Sequence, residues 1–119
     1  MTQIVAPSGI TARVTDVCSG GAAPGIPVRL ERHRAGQWHA CGLAITGEQG
    51  RVQLLGPDDD ETLEKGDYRL TFEVAAYFKT RQLKTILPFV QATFGVAEIK
   101  HHHLTLLLGP FGYSIHAEN

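Results

Sequence analysis

The chain has 119 residues with 11 basic and 12 acidic side chains, so its formal net charge at pH 7 is -1. That balance argues against a partner held by bulk electrostatics, and we expect neither nucleic-acid binding nor membrane binding. No segment approaches the roughly 20 apolar residues of a membrane-spanning helix. A chain of this length suits one hydrophobic core, so we predict a single domain over residues 1–119.

The compartment is predicted from the N-terminus and the cysteines. The first ten residues lack the basic and apolar regions of a secretory signal peptide. We therefore expect a cytoplasmic protein, in which Cys18 and Cys41 are free thiols because the cytosol is reducing. Neither cysteine is predicted to be functional.

Alternation of apolar and polar residues dominates the chain and predicts strands with one buried face. The alternating segments, separated by turn-forming Gly, Pro and Asp residues, are 10–16, 26–32, 37–45, 51–55, 68–74, 88–96, 101–109 and 111–119. Seven or eight short strands at this spacing are typical of a β-sandwich or barrel. The intervening segment Ala75–Gln82 lacks Gly and Pro, and we predict one short helix there.

The same alternation assigns side chains to faces of the predicted strands. His102 falls on the core face of its strand with three leucines, and we expect it to be partly buried with a hydrogen-bond partner. Leu55 is predicted to point outward, and Phe111 and Tyr113 to point into the core. The residues of interest on outer faces are Thr11, Arg13, Thr15, Arg51, His101, His103, Thr105, Leu107, Ser114, His116 and Glu118.

Two interpretations of this polar outer face stay open. The outer face of a sandwich sheet meets water, so solvation alone accounts for polar residues there. Arginine and histidine are also the side chains that bind an anion or enolate and transfer protons at neutral pH. His101 and His103 point the same way, but a zinc site needs three or four protein ligands, and we predict no metal site.

Several stretches, taken together in order, resemble the 5-hydroxyisourate hydrolase family, the transthyretin-like proteins of purine catabolism. They are ARVTDVCSGGAAPGIPVRLER, TGEQGRVQLL, LEKGDYRLTFEVAAYF, ILPFVQATFGV and HHHLTLLLGPFGYS. The last is similar to the family's His-Tyr-His-Val-Pro-Leu-Leu-Leu-Ser-Pro-x-Gly-Tyr-Ser signature. The resemblance covers nearly the whole chain.

This resemblance implies an all-β, transthyretin-like, eight-stranded β-sandwich with one short helix. It also implies a homotetramer, a dimer of dimers, with active sites in a channel where dimers meet. An interface there would explain Leu107 on the outer face. The implied reaction opens a small purine-derived lactam ring with an activated water and without cofactor or metal. A non-catalytic tetramer that binds a small molecule or a partner is the alternative.

The family's working residues carry over only in part. Arg51 and His103 match the Arg after the turn and the second His of the signature, and His101 matches its first His. Arg13 stands where the family has a His on the first strand. The family's C-terminal Tyr-Arg-Gly-Ser is replaced by residues 116–119, His-Ala-Glu-Asn. A rearranged acid–base pair, a different substrate and loss of catalysis are three explanations of these departures.

We therefore expect four catalytic residues, namely Arg51, His103, His116 and Glu118. We expect four substrate-binding residues, namely Arg13, His101, Thr105 and Ser114. Arg51 would polarise the ring carbonyl and His103 would act as base or proton shuttle. Glu118 would orient His116 in place of the missing first-strand His, unless the tail frays and has no role. Arg13 stays protonated at neutral pH, so it would bind an anion, such as an added carboxylate.

Overall fold

Strands form most of the structure, a computed structural model that describes residues 8–55 and 62–118. One short helix lies among them. In chain order the elements are β1 (Gly9–Asp16), β2 (Gly21–Ala22), β3 (Pro27–Arg34), β4 (Gln37–Ile45), β5 (Arg51–Leu55), β6 (Gly66–Phe72), α1 (Ala75–Thr80), β7 (Val90–Val96), β8 (His101–Gly109) and β9 (Gly112–Glu118). In the described part of the chain, no helix has the length and apolarity to cross a membrane.

The strands form two sheets. The first sheet has the order β2-β1-β8-β9, and β5 also pairs with β1. In it β1 and β8 are parallel, whereas β5 runs antiparallel to β1 and β9 antiparallel to β8. The second sheet has the order β4-β3-β6-β7 and is antiparallel throughout. Because β1 and β8 come from opposite ends of the chain, the centre of the first sheet joins residues that are distant in sequence.

The inward faces of both sheets form one hydrophobic core. Its largest fully buried side chains include Ile10, Val14, Ile26, Val28, Leu30, Tyr68, Leu70, Phe72, Leu106 and Leu108. Each fully buried aliphatic or aromatic side chain contributes roughly 1.5–3 kcal/mol through removal from water. The inward positions that alternation predicts on β1, β3 and β8 are confirmed. Residues between them on β1 and β8 therefore point to the outer face.

The alternation of apolar and polar residues predicted the wrong face for side chains where a strand is irregular or lies at the edge of a sheet. Leu55 is buried beside Leu54 because the register between β1 and β5 shifts between Ile10 and Thr11. Phe111 and Tyr113 are 64% and 48% exposed. Phe111 lies in the turn before β9, and β9 is the edge strand of its sheet, so the core does not cover them.

Smaller differences concern the ends of elements. The helix ends at Thr80, two residues before the predicted end, and Gln82 has a left-handed φ of 59° that helical residues do not adopt. Asn119, at the end of the last predicted strand, lies outside the described residues. His102 is half-buried, with its Nε2 3.0 Å from the carbonyl oxygen of Glu98, as predicted. Within the described residues, Cys18 and Cys41 form no disulfide.

A buried hydrogen bond ties α1 to the end of β1. Tyr77 donates from its hydroxyl to the Asp16 carboxylate over 2.7 Å. Burial raises the pKa of Asp16, but donation from Tyr77, Ser19 and Cys18 outweighs that effect and lowers the pKa below its ordinary value. Burial and the Asp16 charge raise the pKa of Tyr77 to about 12. The ionised carboxylate thus holds the helix against the first sheet.

A candidate active site on the outer face of the first sheet

A cleft of about 600 Å³ lies on the outer face of the first sheet, where β5, β1, β8 and β9 run side by side. Polar side chains from all four strands line it. These side chains include Thr11, Arg13, Arg51, His101, His103 and Glu118. The strand period of two places each of them on the face opposite the core. The cleft is therefore built from outward positions of regular strands.

Strand register fixes which side chains meet in the cleft. The parallel pairing of β1 with β8 sets Thr11 beside His103. The antiparallel pairing of β1 with β5 sets Arg13 directly opposite Arg51. The pairing of β8 with β9 sets Glu118 opposite His103. Pairing of strands, not proximity in sequence, assembles these residues.

The turn before β5 determines where Arg51 begins its strand. Gly50 is buried with a φ of 74°, a conformation that glycine adopts without steric cost. Its carbonyl accepts a 2.8 Å hydrogen bond from the backbone N–H of Val14. A Cβ at Gly50 would overlap the carbonyl oxygen of Val14. Only glycine therefore lets the turn approach β1 this closely and deliver Arg51 next to Arg13.

Thr11 links two imidazoles of the cleft. Its Oγ1 lies 2.7 Å from Nδ1 of His103 and 2.9 Å from Nε2 of His101. A hydroxyl has one proton, so Thr11 donates to at most one of these nitrogens. At least one of the two ring nitrogens must then carry its own hydrogen. The contact fixes the ring of His103 and couples its tautomer to that of His101.

His103 is half-buried and is held in its neutral form. Burial lowers the pKa of His103, Glu118 raises it, and the positive charges of His101, Arg51 and Arg13 lower it further. The net result is a pKa below the ordinary value near 6.5. A neutral imidazole at neutral pH is able to accept a proton.

Arg13 and Arg51 differ from the other arginines of the chain, each of which has an ion pair or a side-chain hydrogen bond. Both are exposed, and within residues 8–55 and 62–118 neither has an ion pair or a side-chain hydrogen bond. Their guanidinium groups each carry five N–H donors in a planar fork that matches a carboxylate or an oxyanion. The cleft therefore holds free donors beside a neutral base.

The structure divides the residues predicted at the end of the chain. Glu118 lines the cleft, whereas His116 lies outside its lining, with Nε2 3.2 Å from the hydroxyl oxygen of Ser114. His116 therefore contacts Ser114, and Glu118 acts on His103, whose pKa it raises.

Thr105, which was predicted to bind substrate, lies in β8. It pairs with Arg13 on one side and with His116 on the other, and it lies outside the lining of the cleft.

Sequence reasoning placed Thr11 on the outer face but gave it no catalytic or binding role, and it gave none to Gln53, which also lines the cleft. The alternation of apolar and polar residues on β5 places Gln53 on the same face as Arg51, and this pattern could have identified Gln53 from the sequence. In the described residues, no three His, Cys, Asp or Glu side chains are grouped to hold a metal ion.

Comparison with known proteins explains this arrangement. Residues 10–117 match the HIUase/Transthyretin family. The chain belongs to that family. A 5-hydroxyisourate hydrolase of Caulobacter vibrioides is 34% identical over 112 residues, which cover 90% of this chain and 95% of that protein. One of Salmonella typhimurium is 31% identical over 106 residues, with 88% of this chain and 76% of that protein covered.

Solved structures confirm the transthyretin-like sandwich. The 5-hydroxyisourate hydrolase of Klebsiella pneumoniae superposes with a TM-score of 0.80 at 27% identity, covering 94% of this chain and 99% of that one. Sea bream transthyretin in complex with thyroxine gives 0.83 at 22% identity, covering 92% and 94%. The second match shows the fold alone. The eight strands other than the two-residue β2 form two four-stranded layers of this family fold.

Proposed function

We propose that this member of the HIUase/Transthyretin family hydrolyses a cyclic amide in a small purine-derived heterocycle, as the names of its hydrolase relatives indicate. The observation that carries the proposal is the pairing of a neutral, ring-fixed His103 with the free guanidinium of Arg51 in one cleft. A base and an oxyanion donor are the two groups that water needs to attack an amide carbonyl.

We assign His103 the tautomer that makes it a base, with which the Thr11 contact is compatible. When Nδ1 of His103 donates to Thr11, the hydroxyl donates onward to Nε2 of His101. Nε2 of His103 then carries a lone pair and takes a proton from water. In the opposite tautomer Nε2 carries hydrogen and has no basic function. Thr11 is therefore a positioning residue in the proposed mechanism.

The reaction balances with these groups alone. Water adds its oxygen to the ring carbonyl carbon and gives a proton to Nε2 of His103. The guanidinium of Arg51 stabilises the oxyanion that forms. The C–N bond then breaks, and the ring nitrogen leaves with the proton returned by the imidazolium. The product is the ring-opened acid, which releases its own proton to solvent.

Two further parts of the proposal concern assembly and compartment. We propose a homotetramer formed as a dimer of dimers, because apolar side chains are exposed on adjacent segments. Ile86 is 70% exposed, Phe111 64% and Tyr113 48%, and the backbone of Ile86 donates to the carbonyl of Pro110. Such a patch favours an interface. We also propose a cytoplasmic location, because Cys18 and Cys41 form no disulfide.

A second candidate is a non-catalytic tetramer that binds a small molecule. Arg13 occupies the position of the family's first-strand His, and His116 lies outside the cleft. Both observations favour loss of catalysis. The binding hypothesis predicts that a ligand protects the protein against heat while no ring is opened.

The test is a direct assay of freshly generated 5-hydroxyisourate, followed by its ultraviolet absorbance. We expect the native protein to accelerate the decay and His103→Ala to abolish that acceleration. His39→Ala, which alters an exposed histidine of β4, is the matched control and should keep full activity. Equal decay with and without the native protein would refute the hydrolase proposal for this substrate. Light scattering at micromolar concentration tests the tetramer, and a monomer would refute it.

A further inference from the structure

Two arginines face each other across the centre of the cleft. Arg13 and Arg51 are register partners on antiparallel strands, and both side chains leave the outer face. Directly opposite residues have Cβ atoms about 4.5–5.5 Å apart, and like charges there destabilise a sheet. The register thus places two positively charged residues side by side on the outer face of the first sheet.

Among the described residues, the groups near Arg13 and Arg51 do not neutralise this charge. Within the described residues neither arginine has an ion pair, and Glu118 is the single carboxylate among those that line the cleft. His103 contributes no negative charge: burial is the largest cause of its lowered pKa, and Arg51 and Arg13 lower that pKa further. With two guanidinium groups against one carboxylate, the cleft has an excess of positive charge.

From this geometry we infer that Arg13 binds a carboxylate of the substrate and so determines specificity for carboxylated heterocycles. The inference rests on the proposed function, in which Arg51 contacts the reacting carbonyl. Since Arg13 adjoins Arg51, the carboxylate must lie within a few bonds of that carbonyl. A guanidinium fork binds a carboxylate through two parallel hydrogen bonds, and the bound anion removes the repulsion between the arginines.

A matched pair of ligands isolates the effect of the carboxylate. Orotate is uracil with a carboxylate on a ring carbon two bonds from each ring carbonyl carbon. By titration calorimetry, we expect the native protein to bind orotate at least about 10-fold more tightly than uracil, or about 1.4 kcal/mol. Arg13→Gln should abolish this preference, so that the variant binds orotate no more tightly than uracil. Arg29→Gln, which alters an exposed arginine of β3, should leave the preference intact.

A second measurement does not depend on ligand choice within that pair. Because Arg13→Gln removes like-charge repulsion, the variant should unfold at a higher temperature than the native protein when no ligand is present. A native protein without preference for orotate, or an Arg13→Gln variant that keeps the preference, would overturn the inference. So would a lower unfolding temperature of the variant.

The outcomes separate this inference from the proposed function. Orotate preference without decay of 5-hydroxyisourate would refute the hydrolase proposal for that substrate and support the role of Arg13. Decay of 5-hydroxyisourate without orotate preference would support the hydrolase and refute the role of Arg13. Arg13→His, which restores the family's residue, should lower the ratio of orotate to uracil affinity as Arg13→Gln does.

Discussion

The outer faces of the two sheets differ in whether their charged side chains form ion pairs. On the second sheet Glu31 lies 3.0 Å from Arg69 and 3.7 Å from Arg29, and the Arg69 guanidinium stacks 4.4 Å from the centre of the Trp38 ring. On the first sheet Arg13 and Arg51 adjoin each other, and neither has a partner within residues 8–55 and 62–118. Both faces belong to the same sandwich and expose similar residue types.

The paired charges of the second sheet support the fold, whereas we propose that the arginines on the outer face of the first sheet bind a ligand. The Glu31 and Arg69 side chains are 12% and 24% exposed, so their ion pair is partly buried and supports the second sheet. Like charges opposite each other cost stability, and the first sheet tolerates them. Residues kept at a cost to folding are expected at functional sites. The predictions below test whether the two faces differ in function as they do in pairing.

The largest effect is expected from the two groups that act on the substrate. Arg51→Ala and His103→Ala should each lower kcat/KM by roughly 100-fold or more, the scale for loss of an oxyanion donor or a proton shuttle. Neither should lower the unfolding temperature by more than a few degrees, since neither side chain is in the core. Arg69→Ala on the second sheet should leave kcat/KM unchanged. If Arg69→Ala lowered kcat/KM as much as Arg51→Ala or His103→Ala, the difference in ion pairing between the two outer faces would have no functional meaning.

A smaller effect is expected at Thr11. Thr11→Val keeps the shape of the side chain and removes the hydroxyl between His103 and His101. Loss of one hydrogen bond of about 1 kcal/mol should lower kcat/KM by roughly 5- to 10-fold. Thr11→Ser keeps the hydroxyl and should retain most of the activity. If Thr11→Val and Thr11→Ser behave alike, the hydroxyl does not position His103.

The pH profile should report the charges that surround His103. As pH falls through its pKa, which burial and the charges of His101, Arg51 and Arg13 lower, the base becomes protonated and kcat/KM declines. The decline should therefore begin below about pH 6.5. Glu118 raises the pKa of His103, so Glu118→Gln should move the acidic limb to lower pH. A shift to higher pH in that variant would contradict the assigned sign.

The smallest effect on activity is expected on the second sheet. Glu31→Gln removes the carboxylate shared by Arg29 and Arg69 and should lower the free energy of unfolding by about 1–3 kcal/mol in urea titrations, because the Glu31–Arg69 pair is partly buried. Its kcat/KM should equal that of the native protein. A loss of activity there would place function on both faces.

Much of the fold follows from local pattern. The period of two identifies the strands and the inward leucines of β8 without any tertiary information. It fails at Leu55, where a register shift breaks the period, and at Phe111 and Tyr113, where an edge leaves apolar residues exposed. Both failures depend on the neighbours of a strand, which its own sequence does not contain.

The site is predictable residue by residue but not as a set of contacts. Resemblance to the family indicated Arg51 and His103, and the structure brings both into the cleft. The roles now proposed for Thr11 and Glu118 depend on strand register, since Thr11 contacts His103 across 92 positions of sequence. Sequence reasoning paired Glu118 with His116 because only their spacing was visible.

The parallel pairing of β1 with β8 also orders events during synthesis. The ribosome makes β1 early, but the strand that completes its hydrogen bonding is made about 90 residues later. Until then the nascent chain presents an unpaired strand edge, the kind of surface that promotes aggregation and that chaperones protect. Closing so long a loop is entropically costly and places the protein among slow-folding β topologies. The cleft is therefore complete only after the ribosome has delivered β8 and β9.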